Sequence, residues 1–228
     1  MIAASTASFI GLEMALSMQE LALGSEARMN YLDLFNRFLT ALGSTDLQLS
    51  SVLDYGPFAG ANAMLYGRSI VWQRIAAFRD YLDTHGHDEM HPVVAQILAD
   101  SGGFSAVRAY KDIFSMAKHN RNVHRQLRGW LGDENENGGI DVLIVFSTAR
   151  QPTVDEVLAD PLALNKWLGT FTHFVNLLNL CAVFVPVQAT WTSINGKQMP
   201  FGVTLIGMPG RGRDLLELGK RMMEMEMR

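Results

Sequence analysis

The sequence has few of the features that mark secreted, membrane-spanning or nucleic-acid-binding proteins. Its single cysteine, Cys181, cannot form an internal disulfide, which favours a reducing, intracellular setting. The net charge is −4 and basic residues form no cluster, so a nucleic-acid partner is not expected. The apolar run over 177–187 is far shorter than a bilayer span and contains Asn179, so no membrane partner is expected either. These absences predict a soluble, cytoplasmic protein.

The first 25 residues are apolar enough to be mistaken for a secretory signal. However, no lysine or arginine precedes Arg28, and Glu13 interrupts the apolar stretch. A signal peptide needs a positively charged region before its apolar core. The segment is therefore not expected to direct export.

What the sequence does contain is material for a substantial core. Apolar residues make up 48% and charged residues 18% of 228 residues, a globular composition. Helices are predicted where apolar residues recur with a helical period, and strands where short apolar runs are rich in β-branched residues. No internal repeat or linker divides the chain, so we expect a single α/β protein. The predicted helices cover 26–43, 58–66, 70–83, 91–100, 105 to about 131, a stretch around Gly169, and a last helix from Asp214; the predicted strands cover 47–55, 140–148, 181–187 and 199–207.

The sequence contains three partial matches to catalytic or metal-binding motifs, and none of them is specific. The histidine-rich stretch over 85–91 is polar and is interpreted as a solvated loop rather than a metal site. Ser115 and Lys118 match S-x-x-K inside a long amphipathic helix, but none of the motifs that accompany a catalytic S-x-x-K follows. Cys181 and His173 could suggest a thiol nucleophile and its base, yet Cys181 lies in a predicted buried strand, where a thiol behaves as a small apolar group. We expect no metal site and no catalytic residue from these motifs.

Tyr66 and Arg74 are the most informative polar pair. They lie eight positions apart in an otherwise core-like segment, 61–83. On one straight helix they would be separated by about 12 Å of rise and about 80° of rotation. A bend at Gly67 could instead turn both side chains toward one pocket. The plain alternative is a tyrosine that packs between helices and an arginine that pairs with an acid at the surface.

Several long stretches resemble a known family. They include "YGPFAGANAMLYGRSIVWQRIAAFRDYL", "GGFSAVRAY", "MPFGVTLIG" and, most specifically, "TVDEVLADPLALNKWLGTFTHFVNLLNLCA". Through them, residues 26–228 resemble the C-terminal half of an allophanate hydrolase-type amidase domain, in the amidase-signature family. Residues 1–25 have no counterpart in that family and are treated as a separate, unmatched segment.

The resemblance carries expectations for fold and chemistry. It implies part of an amidase-signature fold, with short buried strands in a mixed sheet flanked by helices. It implies an ancestral activity that hydrolyses the C–N bond of a small carboxylated amide or urea derivative, with no cofactor and no metal. It also implies that Tyr66 and Arg74 bind the substrate carboxylate, and a planar guanidinium with a neutral phenol donor suits that ligand.

The departures from the family bear on activity. Amidase-signature enzymes use a serine nucleophile, a bridging serine and a lysine, with a "GGSSGG"-type segment, all in the N-terminal half of the domain. Here the adjacent serines Ser50 and Ser51 have no glycine beside them, and all five lysines fall in segments that match non-catalytic parts of the family. The family's "TNFVN" is "THFVN" here, and "VPTAP" is "VFSTAR". No residue of this chain is therefore assigned a catalytic role, and we expect no hydrolysis by the chain alone.

Two further interpretations stay open beside an amidase of this type. The chain could be a non-catalytic binding or scaffold protein, or one half of a split amidase completed by another chain. Half of a layered domain would expose a sheet edge and an apolar face. The chain is therefore expected to need a partner such as a complementing amidase half, self-association, or a rearranged core.

Overall fold

A computed structural model of the chain describes most of the polypeptide. The described residues are 6–9, 25–43, 48–50, 53–67, 69–86, 90–100, 104–127, 140–148, 151–192 and 196–225. They contain five strands that form one sheet in the order β2-β1-β3-β5-β4. The strands are β1 (Thr6–Phe9), β2 (Gln48–Ser50), β3 (Val142–Phe146), β4 (Cys181–Thr192) and β5 (Gln198–Gly207).

The sheet is mixed, as the family resemblance predicts. β1 runs parallel to both β2 and β3, whereas β5 pairs antiparallel with β3 and with β4. All five residues of β3 are buried, because this strand has a strand on each side and is covered on both faces. β4 and β5 form a long hairpin with an irregularity between Val187 and Thr190, and Gly196 lies in its connection with a φ of 71°, a conformation that favours glycine.

Ten helices in the described residues flank the sheet. Three of them, Ser25–Gly43, Gly56–Gly67 and Pro92–Asp100, begin and end within two residues of a predicted helix. They are α1 (Ser25–Gly43), α2 (Gly56–Gly67), α3 (Ile70–Ala77), α4 (Arg79–His85), α5 (Pro92–Asp100), α6 (Ala106–Gln126), α7 (Val154–Ala159), α8 (Pro161–Leu168), α9 (Phe174–Leu177) and α10 (Gly212–Met223).

The helix predicted over 70–83 is interrupted at Phe78. The N–H of Phe78 donates to the carbonyl of Ile75 at 3.1 Å, a three-residue step that tightens the end of α3. Phe78 has φ −104° and ψ 9°, so the regular ladder stops there and α4 starts one residue later. The single predicted helix is therefore two helices.

Two other helix predictions need similar corrections. The stretch around Gly169 is not continuous, since α8 ends at Leu168 and turns separate it from α9. The last helix begins at Gly212 rather than Asp214. Asp214 lies in its first turn, and its carboxylate is 3.2 Å from Arg211 Nη1. The negative charge there interacts favourably with the positive end of the helix dipole.

The start of α6 agrees with the prediction, whereas its C-terminal end does not. Ser105 caps α6 as predicted, with its hydroxyl accepting from the Arg108 N–H at 3.2 Å. The helix ends at Gln126 rather than near Leu131, because Leu127 has left the helical conformation. Residues 128–131 lie outside the described part of the chain.

The core joins the inner helices to the sheet through aromatic side chains. The rings of Phe35 on α1 and Phe146 on β3 are 4.1 Å apart between centroids. Phe58 on α2 meets Phe174 on α9 edge to face at 5.0 Å, a favourable arrangement of aromatic rings. These four side chains are almost completely buried. They hold α2 against the 163–178 region, and this contact positions the site described below.

The segment before residue 26 also contributes to the sheet. Four of its residues form β1, and Ala7 pairs with Leu49 on one side and Val142 on the other. The division between 1–25 and 26–228 stays a prediction. Within the described ranges, no helix has both the length and the apolar character that crossing a bilayer requires.

Candidate functional site

Tyr66 and Arg74 lie on two successive helices rather than one. Tyr66 is the penultimate residue of α2, and Arg74 is the fifth residue of α3. The helical pattern is interrupted between Gly67 and Ile70, at the place where the sequence predicts a bend. The side chains at positions 66 and 74 lie outside the described parts of the structure, so their joint binding of a carboxylate stays a prediction.

A buried carboxylate fixes the start of α3. Asp112 on α6 is 2% exposed, and its Oδ2 accepts from the backbone N–H of Ser69 at 3.0 Å. Its Oδ1 is 3.5 Å from Nε of the half-exposed Arg108. Because the N–H groups at the beginning of a helix have no partner within the helix, Asp112 both satisfies one of them and ties α3 to α6.

A cavity of about 360 Å³ opens beside α2. Its volume lies at the lower end of the range for small-molecule sites. One wall comes from α2 and the residue before it, and the other from α8 and the turns that follow it. The described residues that line the cavity are Tyr55, Ala59, Asn62, Ala63, Ala163, Lys166, Trp167, Thr170 and His173.

One backbone carbonyl organises the polar wall of this cavity. The Thr170 oxygen accepts from the Tyr55 hydroxyl at 3.1 Å and from Nδ2 of Asn62. The other end of the Asn62 amide, Oδ1, is buried and has no hydrogen-bond partner among the described residues. The Thr170 hydroxyl donates to the carbonyl of Trp167 at 2.7 Å.

Burial favours the neutral form of two titratable groups in the cavity, Tyr55 and His173. Burial raises the pKa of the Tyr55 phenol well above its usual range, so the hydroxyl remains a donor. Burial lowers the pKa of His173, which favours the neutral imidazole. Lys166 is exposed and brings a positive charge to the cavity, while no described lining residue is acidic.

His173 is held in place by a glycine. A Cβ built on Gly169 would overlap the His173 ring, so the imidazole occupies the space that any other residue at 169 would need. Because Gly169 has no side chain, the turn between α8 and α9 can close with the His173 ring packed against the Gly169 backbone.

A second, apolar groove lies on the other side of α8. Its volume is about 710 Å³, and α8 faces it with Pro161, Leu162 and Asn165 while Ala163 and Lys166 line the cavity described above. Phe78 and Tyr81 at its edge are 59% and 48% exposed. The other described lining residues are Leu65, Val71, Met90, Val93, Val94, Ile97 and Leu98.

The histidine-rich stretch forms no ligand set in the described residues. His85 stacks on Tyr81 with ring centroids 4.4 Å apart, and His91 Nδ1 accepts from the Val93 N–H at 3.3 Å. Residues 87–89 lie outside the described part. Across the rest, no group of three or more potential ligands is close enough to hold a metal ion.

The other motif candidates lie in ordinary structural settings. Ser115 and Lys118 are both exposed on α6. The Cys181 thiol is half-buried at the start of β4 and donates to the Met208 carbonyl, with Sγ 2.9 Å from the oxygen. Sequence reasoning missed the cavity around Asn62 and Lys166, because its two walls are distant along the chain and no local motif marks either one.

Comparison with known proteins identifies the relationship. No protein-family model matches the chain. Urea amidolyase of Saccharomyces cerevisiae is 30% identical over 189 residues, which are 82% of this chain and 9% of that protein. A solved allophanate hydrolase of Kluyveromyces lactis superposes with a TM-score of 0.74 at 26% identity, covering 97% of this chain and 32% of that one.

More distant structures share the fold. A bacterial aryl acylamidase of the amidase-signature family, 14% identical, covers 96% of this chain with a TM-score of 0.59, over 43% of its own length. These comparisons thus match most of this chain to a limited part of a longer protein. The chain is homologous to a segment of the urea amidolyases and allophanate hydrolases, which are amidase-signature enzymes.

Proposed function

We propose that these 228 residues form the carboxylate-binding part of an allophanate hydrolase-type amidase and do not hydrolyse amides by themselves. The observation that carries the proposal is the homology to urea amidolyase over 82% of the chain. In this proposal the ligand is a small amide or urea derivative that bears a carboxylate. Tyr66 and Arg74 bind that carboxylate.

The geometry of the backbone is compatible with such a clamp. Tyr66 lies in the last turn of one helix and Arg74 in the first turns of the next. The interruption between the helices therefore sets the angle at which the two positions approach each other. The buried Asp112–Ser69 hydrogen bond holds that interruption. A guanidinium offers two parallel donors to a carboxylate, and a phenol adds a third.

Hydrolysis needs groups that the described residues do not bring together. An amide C–N bond is cleaved by a nucleophile activated by a nearby base, with donors that stabilise the oxyanion. The candidate hydroxyl and amine of the S-x-x-K match, Ser115 and Lys118, are exposed on an outer helix. Of the adjacent serines, Ser50 is the last residue of β2 and Ser51 lies outside the described residues. Losing nucleophile and base removes most of the rate enhancement.

Binding of malonate to the purified chain tests the clamp. Isothermal titration should detect a complex in the parent that Arg74→Ala abolishes and Tyr66→Phe weakens. Arg79→Ala is the matched control, because Arg79 is an exposed arginine on the neighbouring helix that pairs with Asp83 at 3.0 Å. Equal binding by the parent and Arg74→Ala would refute the assignment.

Ammonia release from allophanate or malonamate tests the second half of the proposal. The purified chain should release none above background. Release that disappears in Ser115→Ala or Lys118→Ala would show that the S-x-x-K match is catalytic, and the proposal would be wrong.

An apolar stripe on α6 favours a second candidate, a split amidase completed by the remaining part of the domain. Val107, Tyr110 and Phe114 lie on one face of the helix and are 65%, 64% and 71% exposed. Apolar side chains that line two successive turns of a helix normally pack against another element. The solved allophanate hydrolase chain is about three times the length that this chain covers, which gives the expected occupant.

Mixing the chain with a polypeptide that carries a family N-terminal half tests this candidate. Ammonia release from allophanate should appear only in the mixture and should be lost in a Tyr110→Ser/Phe114→Ser double variant. Leu158→Ser is the control, since Leu158 is 74% exposed on a different helix. An active mixture that tolerates the double variant would exclude this face as the contact.

A further inference from the structure

The outer side of α6 carries two kinds of side chain, one toward each end of the helix. Residues 107, 110, 114, 118, 121 and 125 recur at intervals of three or four positions, so they lie along one side. The first half of that side is apolar, with Val107, Tyr110 and Phe114 exposed. The second half is basic, and its exposed members are Lys118, Arg121 and Arg125, with Lys111 beside them. These residues form the α6 face, which extends over about 27 Å.

The basic half of the α6 face has no counter-charge in the described part of the chain. None of its lysines and arginines takes part in an ion pair there. The one acidic residue of the helix, Asp112, is buried on the opposite side together with Val123. The whole protein has a net charge of −4, so the positive charge is a local property of this face.

The order of the two halves disfavours a lipid surface as the occupant. A helix that lies in a membrane interface keeps apolar residues along the whole length of one side and basic residues on the other. On the α6 face the apolar residues stop at Phe114, and the same side continues with lysine and arginine for about two turns. Such a face is complementary to a surface that is apolar at one end and acidic at the other.

A second copy of this chain does not offer that surface through the same helix. If two α6 helices paired in parallel, their basic halves would face each other, and like charges repel. If they paired antiparallel, the basic half of each copy would cover the apolar half of the other. In neither case would a carboxylate of α6 reach the lysines and arginines, because Asp112 is buried. The charges therefore favour a different polypeptide.

We propose that the α6 face binds a helix of a second polypeptide that is apolar at one end and acidic at the other. Apolar side chains of that helix pack against Val107, Tyr110 and Phe114, and its carboxylates pair with the basic half. The inference deepens the split-amidase candidate and rests on it for one point, that this face meets another polypeptide. It adds the chemistry of the partner, since the apolar contact supplies affinity and the carboxylates fix the direction of the bound helix.

Two synthetic helical peptides test the proposal. Both carry leucines in one half, spaced to meet the apolar half of the α6 face. The other half carries glutamates in the first peptide and glutamines in the second. Fluorescence anisotropy with the full chain should show that the glutamate peptide binds about tenfold more tightly at low salt, and the difference should shrink as salt screens the charges. Equal dissociation constants, or no binding of either peptide, would overturn the inference.

Substitutions on the helix show whether this preference comes from the α6 face. Arg121→Glu/Arg125→Glu should abolish the preference for glutamate, and Arg121→Gln/Arg125→Gln should also remove it and serves if the first variant does not fold. Arg37→Glu/Arg213→Glu is the matched control, because both arginines are exposed on other helices, and it should leave the preference unchanged. A preference that survives the substitutions on α6 would contradict the proposal.

The apolar half should respond differently from the basic half. Tyr110→Ser/Phe114→Ser should weaken the binding of both peptides by a similar factor, because the leucines are common to them. If the double variant left both dissociation constants unchanged, the peptides would bind elsewhere and the proposal would be wrong.

The other possible occupants are tested with the same variants. Phosphatidylserine vesicles should bind the chain no better than phosphatidylcholine vesicles, and Arg121→Gln/Arg125→Gln should not alter the sedimentation of the chain. Binding to phosphatidylserine that this variant abolishes would assign the α6 face to a membrane. A dimer that Tyr110→Ser/Phe114→Ser makes monomeric would assign it to a second copy. Either result would overturn the inference.

The ammonia assay with the family N-terminal half separates this inference from the split-amidase candidate. A mixture that releases no ammonia, together with a charge-dependent peptide complex, would refute the split amidase and support the chemistry proposed for the α6 face. An active mixture, together with equal affinities for the two peptides, would refute the inference alone.

Discussion

Replacing Asp112 with alanine should destabilise the protein through a loss at the start of α3. The carboxylate is 2% exposed and accepts from the Ser69 N–H at 3.0 Å. Ser69 is itself fully buried, so water cannot reach the N–H group in place of the lost acceptor. The variant therefore leaves a buried donor unpaired at a helix end, where no partner within the helix is available.

The expected cost follows from two of the interactions that Asp112 makes. A hydrogen bond to a charged group contributes about 1.5–3 kcal/mol, and the ion pair with the 46% exposed Arg108 adds less than about 1 kcal/mol because solvent screens it. We expect a loss of about 3 kcal/mol. For a chain of this size, that lowers the melting temperature by about 6–12 °C.

Urea denaturation, followed by circular dichroism and tryptophan fluorescence, measures the loss. Asp112→Asn keeps an oxygen acceptor for Ser69 and should cost about 1 kcal/mol, while Arg108→Ala removes only the exposed pair and should cost less than about 1 kcal/mol. If Asp112→Ala and Arg108→Ala were destabilised equally, the Ser69 hydrogen bond would not be what stabilises the start of α3. The reasoning about the interruption between α2 and α3 would then be wrong.

Two further predictions concern histidine and Ser69. Burial lowers the pKa of both His119 and His173 in the fold, and Lys118 adds to the shift at His119. The unfolded chain then binds more protons at mildly acidic pH, so the free energy of unfolding should fall as pH drops through about 6.5. The slope should be smaller in His173→Asn, and an unchanged slope in denaturation at several pH values would contradict this. Ser69→Ala should change stability by less than about 1 kcal/mol, since the hydroxyl is buried without a partner among the described residues; a larger loss in the same assay would mean that the hydroxyl contributes to the fold.

The pattern of apolar residues along the chain predicted α1 and β3. The apolar stripe predicted over 26–43 is α1, and Phe35, Phe38 and Leu42 are buried along it. The β-branched run over 140–148 contains β3, which is covered on both faces. In both cases the period of the apolar residues carries the information, because it matches the geometry of one element.

Neither β1 nor the cavity was predicted from the sequence, because both depend on contacts between residues that are distant along the chain. β1 is four residues long and has no alternating pattern, and its pairing is supplied by β2 and β3. The cavity needs the Thr170 carbonyl to meet Tyr55 and Asn62 across more than a hundred positions of chain. The resemblance to a family marked Tyr66 and Arg74 but gave no account of Asn62 or Lys166, for which no motif exists.

The place of β1 in the sheet has a consequence for how the chain folds during synthesis. β1 leaves the ribosome before the other four strands, yet Ala7 pairs with Val142, which is made far later. Contacts between distant positions must overcome the entropy of closing the intervening loop and form slowly. Until β3 emerges, β1 can have β2 as its neighbour on only one side, and its other edge is open to pairing with other chains. Slowing translation before residue 142 should therefore increase aggregation, and a fragment that starts after β1 should leave β2 and β3 without the strand that joins them.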